Sequence, residues 1–241
     1  GYVEAIDTAN QKLSISGGRT LGYDALILAT GSKPNKFGWP GQDLEGVQGL
    51  YSWQDLQAME RNTKGISRGV IVGGGLIGIE VAEMLHSRRI PATLLVREQQ
   101  YWNNVLPVEE AQMIGRHIQQ QQIDLRLGSE LKEILADSNQ RVRGVITGTG
   151  EEIPCQFVAL TAGVGPNIEV VKGSNIAIGR GVLVDEYFQT NIPNIYAIGD
   201  CAEFHEPKPL APNVEQLWYT GKMHGEVVAH TICGNRTPYN R

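Results

Sequence analysis

Three glycines, Gly73, Gly75 and Gly78, stand in the spacing G-x-G-x-x-G directly after the apolar run Val70-Ile71-Val72. That spacing suits the binding of a pyrophosphate. Gly73 permits a tight turn, Gly75 lets the backbone approach the phosphates, and Gly78 allows a helix to pack closely on the strand before it. The N–H groups of the first helical turn, Leu76 and Ile77 among them, have no partners within the helix and lie at its positive end, where phosphates are favoured. Glu80 follows in the same helix.

Glycine spacing alone is a weak signal, and its context is what makes it specific. Residues 70–72 read as a buried strand, the helix runs through Ala82 to about Arg88, and a second apolar strand follows at 92–96. Together they make one βαβ unit. A second amphipathic helix is expected over 107–122, with Pro107 at its start and Glu109 and Glu110 in its first turn, where the helix dipole favours them. A shorter helix is expected at 52–59. Residues 1–31 read as short strands with a hairpin at Gly17-Gly18, followed by a buried strand over 23–29. Residues 32–50, with two prolines and four glycines, read as loop. Strands are expected at 123–127, 130–136, 141–147, 152–160, 181–185 and 195–200. Loops are expected at 166–180 and 207–212, and a last helix over 214–232 ended by Gly234.

The 241 residues suffice for a large core and two lobes. Hydrophobic content of 41% and charged content of 20% are ordinary for a globular protein. A net charge of −5 with scattered Lys and Arg offers no footprint for nucleic acid. No apolar run approaches the ~20 residues that span a bilayer, so no membrane partner is expected. Cys155, Cys201 and Cys233 lie far apart, without metal-ligand spacing, which argues for a reducing, cytoplasmic setting and no metal. Cys155 and Cys233 read as small core residues. The five histidines show no metal-binding spacing either.

Four motifs agree in order and spacing: Leu28-Ala29-Thr30-Gly31-Ser32; the glycine turn with Glu80; Thr161-Ala162-Gly163-Val164-Gly165-Pro166-Asn167; and the stretch from Thr190 to Asp200. Across essentially the whole chain they resemble the FAD-dependent pyridine nucleotide–disulfide oxidoreductase superfamily, in its ferredoxin-, rubredoxin- and nitrite-reductase-like branch. The resemblance implies an α/β fold, with a Rossmann-like three-layer NAD(P)-binding domain at 66–164 inserted in a partial FAD-binding domain made of 1–65 and 165–241. It implies that Thr30, Gly31, Gly199 and Asp200 serve FAD, with Asp200 on the ribityl chain. A carboxylate beside a glycine at a strand end suits a polyol, although an Asp there also caps turns. Gly163 is assigned to cofactor binding with them.

The resemblance also implies that Glu80 faces the nicotinamide–flavin contact; a helix-start acid is the equal alternative. Trp218, next to Tyr219 in the last helix, is placed near the flavin ring, or else is a core aromatic. At the end of the second strand an acidic residue reads the ribose 2′-OH of NAD and an Arg the 2′-phosphate of NADP. Val96 stands where NAD-specific relatives carry Glu, and Arg97 follows. The lean is therefore to NADPH, tempered by Glu98, which can bond a ribose or neutralise Arg97.

The expected activity is hydride transfer from NADPH or NADH to FAD and on to an electron-acceptor protein. A flavin-free NAD(P)-binding module and a subunit of a multicomponent reductase are the alternatives. No side chain is expected to act as acid, base or nucleophile, because the flavin carries the chemistry. The chain starts without Met in strand-like sequence, and the superfamily's first glycine motif and C-terminal interface domain are expected outside residues 1–241. This stretch alone is therefore expected to hold FAD poorly and to be inactive. Whether it forms a homo-oligomer is open.

Overall fold

A computed structural model describes residues 1–206, 209 and 211–240. The chain divides into two compact units, residues 34–164 and residues 1–33 with 165–241.

The unit of residues 34–164 is built on a five-stranded parallel sheet. Its strands are Val47–Gln48, Phe157–Leu160, Gly69–Val72, Ala92–Val96 and Asp124–Leu127, in that spatial order. Strands buried on both faces should be continuously apolar, and Val70, Ile71, Leu94, Leu95, Val158 and Leu160 are all buried. Their side chains alternate between two cores, as the two-residue strand period requires. Ile71, Leu94, Val96 and Ala159 face Val81, Ala82 and Leu85 of the helix Leu76–Ser87, Ile118 of the helix Val108–Gln120, and Met59 of the helix Trp53–Asn62. Val70, Leu95, Val158 and Leu160 face Leu131, Ile134, Val145 and Ile153. These last belong to an antiparallel sheet of Leu131–Ala136, Val142–Thr147 and Glu152–Pro154. Helices, parallel sheet and antiparallel sheet form the three expected layers. Each large apolar side chain so buried contributes about 1.5–3 kcal/mol.

Several sequence expectations are corrected here. The stretch 152–160 is two strands in two different sheets, because the chain changes layer at Cys155-Gln156. The expected loop 32–50 contains the short strands Ser32–Pro34 and Val47–Gln48. The second pairs with Phe157–Leu160, and Met59 is fully buried in the helix-side core. Residues 34–65 therefore group with the glycine turn in one compact unit. The short helix begins after Ser52 through a capping box: Ser52 Oγ accepts from the Asp55 N–H, and Asp55 Oδ2 accepts from the Ser52 N–H.

The other unit carries an antiparallel sheet of Val3–Asp7, Lys12–Ile15 and Arg19–Gly22, turning at Gly17 and Gly18 in left-handed conformation. Two parallel pairs follow, Leu26–Leu28 with Ile195–Ala197 and Val182–Val184 with Ala202–Phe204. The stretch 23–29 is thus a three-residue strand with Ile27 exposed, not a long buried one. The strand at 195–200 ends at Ala197 and passes into a single 3-10 turn, Gly199–Cys201. The last helix runs Trp218–Ile232 and starts four residues late. Glu215 and Gln216 are drawn instead into side-chain hydrogen bonds with His224, Tyr239 and Ser32. The expected loop 207–212 lies partly outside the described residues. Cys155 is buried as expected, whereas Cys233 is exposed past the helix end and is no core residue. Among the described residues no helix is long and apolar enough to cross a membrane, and no side-chain cluster could hold a metal ion.

Candidate dinucleotide site

The glycine turn leaves the C-terminal end of the strand Gly69–Val72, which the sheet order makes a switch point. The chain continues outward on one side to Ala92–Val96 and returns on the other as Phe157–Leu160. Ligands of open α/β sheets bind in the crevice at such a point. A cleft of about 820 Å³ opens there, within the size range of ligand pockets. Gly73, Gly75 and Leu76 line it together with Arg97, Glu98, Trp102 and Gly163.

The fold itself requires glycine at two of the three positions, each for a different steric reason. Gly73 has φ +115°, and a Cβ there would lie 2.7 Å from the Thr161 carbonyl oxygen. At Gly78 a Cβ would lie 2.1 Å from the Gly73 oxygen, so helix and turn can touch only without a side chain. At Gly75 a Cβ would meet nothing within 4 Å. That space belongs to whatever the cleft takes in. Gly75 is the N-cap of the helix Leu76–Ser87, and no side chain caps it. The carbonyls of the turn are held elsewhere: Thr161 Oγ1 donates to Gly73 O at 3.0 Å, Trp102 Nε1 to Gly74 O at 2.6 Å, and the Ile79 N–H to Gly75 O at 3.2 Å. The opposite wall is braced by Asn35, whose N–H donates to Gly163 O at 3.1 Å.

At the end of the second strand Val96 is buried against Gly74, with its Cγ2 2.9 Å from a Cβ built there. Arg97 and Glu98 both line the cleft and pair with each other at 3.1 Å, with the Arg97 side chain 74% exposed. The solvated pair expected at the strand end thus also lines the cleft. Ile77 is half-buried in the first turn. Glu80 is exposed and falls beyond that turn, which contains no acid, so the helix-start reading of Glu80 loses its basis. The sequence reading missed Trp102, Phe37 and Trp39, which also line the cleft. The signal that could have found Trp102 is its place just beyond the second strand.

The remaining predicted residues lie in the other unit. Thr30 Oγ1 donates to Asn167 O at 2.5 Å, and the Asn167 N–H donates to Gly31 O at 2.8 Å. Asp200 Oδ2 accepts from Ser32 Oγ at 2.8 Å, and Ser32 Oγ accepts in turn from Gln216 Nε2 at 2.7 Å. Beside it Gly199 has φ +66°, and a Cβ there would meet nothing within 4 Å. An oriented, half-buried carboxylate next to open space fits a polyol such as a ribityl chain.

A buried chain of hydrogen bonds supports this turn. The Gly199 N–H donates to His224 Nδ1 at 3.1 Å, His224 Nε2 faces Glu215 Oε2 at 3.2 Å, and Tyr239 OH donates to the same oxygen at 2.9 Å. Nδ1 must accept, so the imidazole is neutral with its proton on Nε2. Burial, opposed in part by Glu215, lowers the His224 pKa in the same direction. Trp218 is 74% exposed, as is Tyr219, so the core-aromatic reading is excluded for both.

The family model for pyridine nucleotide-disulphide oxidoreductases matches residues 1–225. The assimilatory nitrate reductase electron transfer subunit of Bacillus subtilis is 30% identical over 95% of this chain and 29% of its own length. A ferredoxin reductase from Rhodopseudomonas palustris superposes with a TM-score of 0.88 at 25% identity, over 99% of this chain and 59% of that one. An FAD-dependent pyridine nucleotide-disulphide oxidoreductase from Desulfovibrio vulgaris superposes with a TM-score of 0.85 at 27% identity, over 98% and 62%. The chain thus spans between about a third and three fifths of the length of these relatives. With a glycine turn at a sheet switch point and a family match over nearly its whole length, the chain belongs to the pyridine nucleotide-disulphide oxidoreductase family.

Proposed function

We propose that the cleft of residues 34–164 binds NADPH or NADH, and that the whole protein is an FAD-dependent NAD(P)H oxidoreductase that reduces an electron-acceptor protein. The observation that carries the reading is the steric division among Gly73, Gly75 and Gly78, which leaves open space at the one glycine that a pyrophosphate must approach. In this reading Gly75, Leu76 and Ile77 offer N–H groups to the pyrophosphate, and Arg97 and Glu98 meet the adenosine ribose. Arg97 favours a 2′-phosphate, since position 96 offers no acid. Gly163 lets the far end of the dinucleotide pass the Thr161–Gly163 wall, with Glu80 on the nicotinamide side.

Thr30, Gly31, Gly199, Asp200 and Trp218 are assigned to FAD, with the Asp200 carboxylate held by Ser32 as acceptor for ribityl hydroxyls. When bound, the nicotinamide supplies a hydride and the flavin takes it; the side chains named here bind and orient. The compact units suggest 34–164 for the nucleotide domain, with 1–33 and 165–241 for the flavin domain.

The nitrate reductase relative is described as an electron transfer subunit. That supports a second reading, a component of a larger reductase. The test of the shared core is a titration of the full chain with NADPH and with NADH by nicotinamide fluorescence, with a visible spectrum of the same sample. Saturable binding supports the dinucleotide site, and flavin bands support FAD retention by residues 1–241. Binding of neither nucleotide removes the reading.

A further inference from the structure

We propose that Trp102 is a positioning residue for the pyrophosphate: its indole N–H holds the Gly74 carbonyl, and thereby turns the Gly75 N–H toward the ligand. The inference rests on the reading of the cleft as a dinucleotide site.

Across a trans peptide the C=O of one residue and the N–H of the next point in opposite directions. Holding the Gly74 oxygen at 2.6 Å from Trp102 Nε1 therefore fixes the direction of the Gly75 N–H. Something must do so, because two successive glycines have the widest backbone freedom of any pair. Thr161 fixes the preceding carbonyl and Ile79 the following one, so Trp102 completes a run of three. Backbone N–H groups turned the same way over consecutive residues form an anion-binding concavity.

The local backbone around Trp102 serves this placement. Trp102 has φ +57°, the left-handed region that bulky side chains avoid. The turn is closed by the Val105 and Leu106 N–H groups, both donating to Trp102 O at 2.9 Å. Its ring stacks on Tyr101 at 5.7 Å and 10°. Tyr101 is itself buried, with Cε2 3.3 Å from a Cβ built on Gly74. Gly74 is thus confined by Tyr101 and Val96 while its carbonyl is held by the indole.

The test compares wild type, W102F and the control W53F, whose side chain is exposed at the start of the helix Trp53–Asn62. The probes are ADP-ribose, which carries a pyrophosphate, and adenosine, which carries none. One neutral hydrogen bond corresponds to about a five- to tenfold change. W102F is expected to weaken ADP-ribose by that factor and adenosine by under about twofold. The phosphorus NMR shifts of bound ADP-ribose should change in W102F and not in W53F.

A measurement on the wild-type chain guards against a W102F that does not fold. Its Trp102 indole proton should resist solvent exchange and shift on adding ADP-ribose but not adenosine. Equal loss of both probes makes Trp102 a stacking surface for the adenine and overturns the proposal. So does unchanged ADP-ribose affinity, or a freely exchanging indole proton. Wild type that binds neither ADP-ribose nor NAD(P)H instead removes the dinucleotide reading itself, a result distinguishable before any variant is made.

Discussion

Replacing Gly75 and Gly78 by alanine, one at a time, should separate the binding role of the turn from its folding role. At position 78 the added methyl lies 2.1 Å from the Gly73 oxygen and 3.0 Å from Thr161 Oγ1. Neither neighbour is the free end of a flexible side chain, so helix and turn must part by more than an ångström to reach ordinary contact. Overpacking of this kind costs about 1–3 kcal/mol, and a backbone partner puts G78A at the upper end. At position 75 the methyl meets nothing within 4 Å, and φ is −76°, which alanine adopts freely. Two small terms then oppose each other: alanine restricts the unfolded chain, worth about 0.4–1 kcal/mol, but is a poorer N-cap than glycine by a similar amount. G75A should therefore match wild type within about 1 kcal/mol. Its methyl, however, stands where the phosphates must approach, and nicotinamide binding should fall by about a hundredfold or more, the equivalent of ~2.7 kcal/mol. Denaturant midpoints and nucleotide titrations on the same samples measure both quantities. A folded G75A that binds nucleotide like wild type would refute the reasoning, as would a G78A as stable as wild type.

R97A should weaken NADPH about tenfold and leave NADH unchanged, the loss of one charge-assisted contact at an exposed site; if Arg97 only pairs with Glu98, both affinities stay put. His224 is neutral in the fold and its pKa is lowered, so the unfolded chain binds the extra proton first. Stability should accordingly fall as pH drops below about 6.5, the ordinary histidine value. In H224Q that share of the pH slope should vanish between about pH 7.5 and 5.5, while stability at the upper pH falls by about 1–3 kcal/mol from disrupted buried hydrogen bonds; an unchanged slope in chemical denaturation would count against the neutral assignment. Of the three cysteines, Cys155 is pushed up to about 12 by burial, Cys201 is buried and Cys233 is exposed. One thiol should therefore react promptly with a thiol reagent in the native chain and the other two only on denaturation, and three prompt thiols would contradict the burial.

What residue order alone determined was local. The βαβ unit could be read because a strand, a turn and a helix that follow one another directly express their periods and glycines within some thirty residues. The requirement for glycine at 78 was legible for the same reason, since the Gly73 oxygen it must avoid lies in the same turn, whereas the Thr161 backbone that crowds Gly73 is 88 residues away. What the tertiary structure alone decided depended on residues distant in sequence. Residues 34–65 group with the sheet because Val47–Gln48 pairs with a strand more than a hundred positions later. The stretch 152–160 looked like one strand because its apolar pattern hardly breaks at Cys155-Gln156, yet its halves satisfy backbone hydrogen bonds in different layers. His224 carried no motif, and its role arises from Gly199, Glu215 and Tyr239 closing around it with matched donors and acceptors. Trp102 likewise acquires meaning only through a carbonyl 28 residues earlier. Local periodicity and turn chemistry are written in neighbouring residues, whereas burial, partner choice and protonation depend on which distant groups the fold brings together.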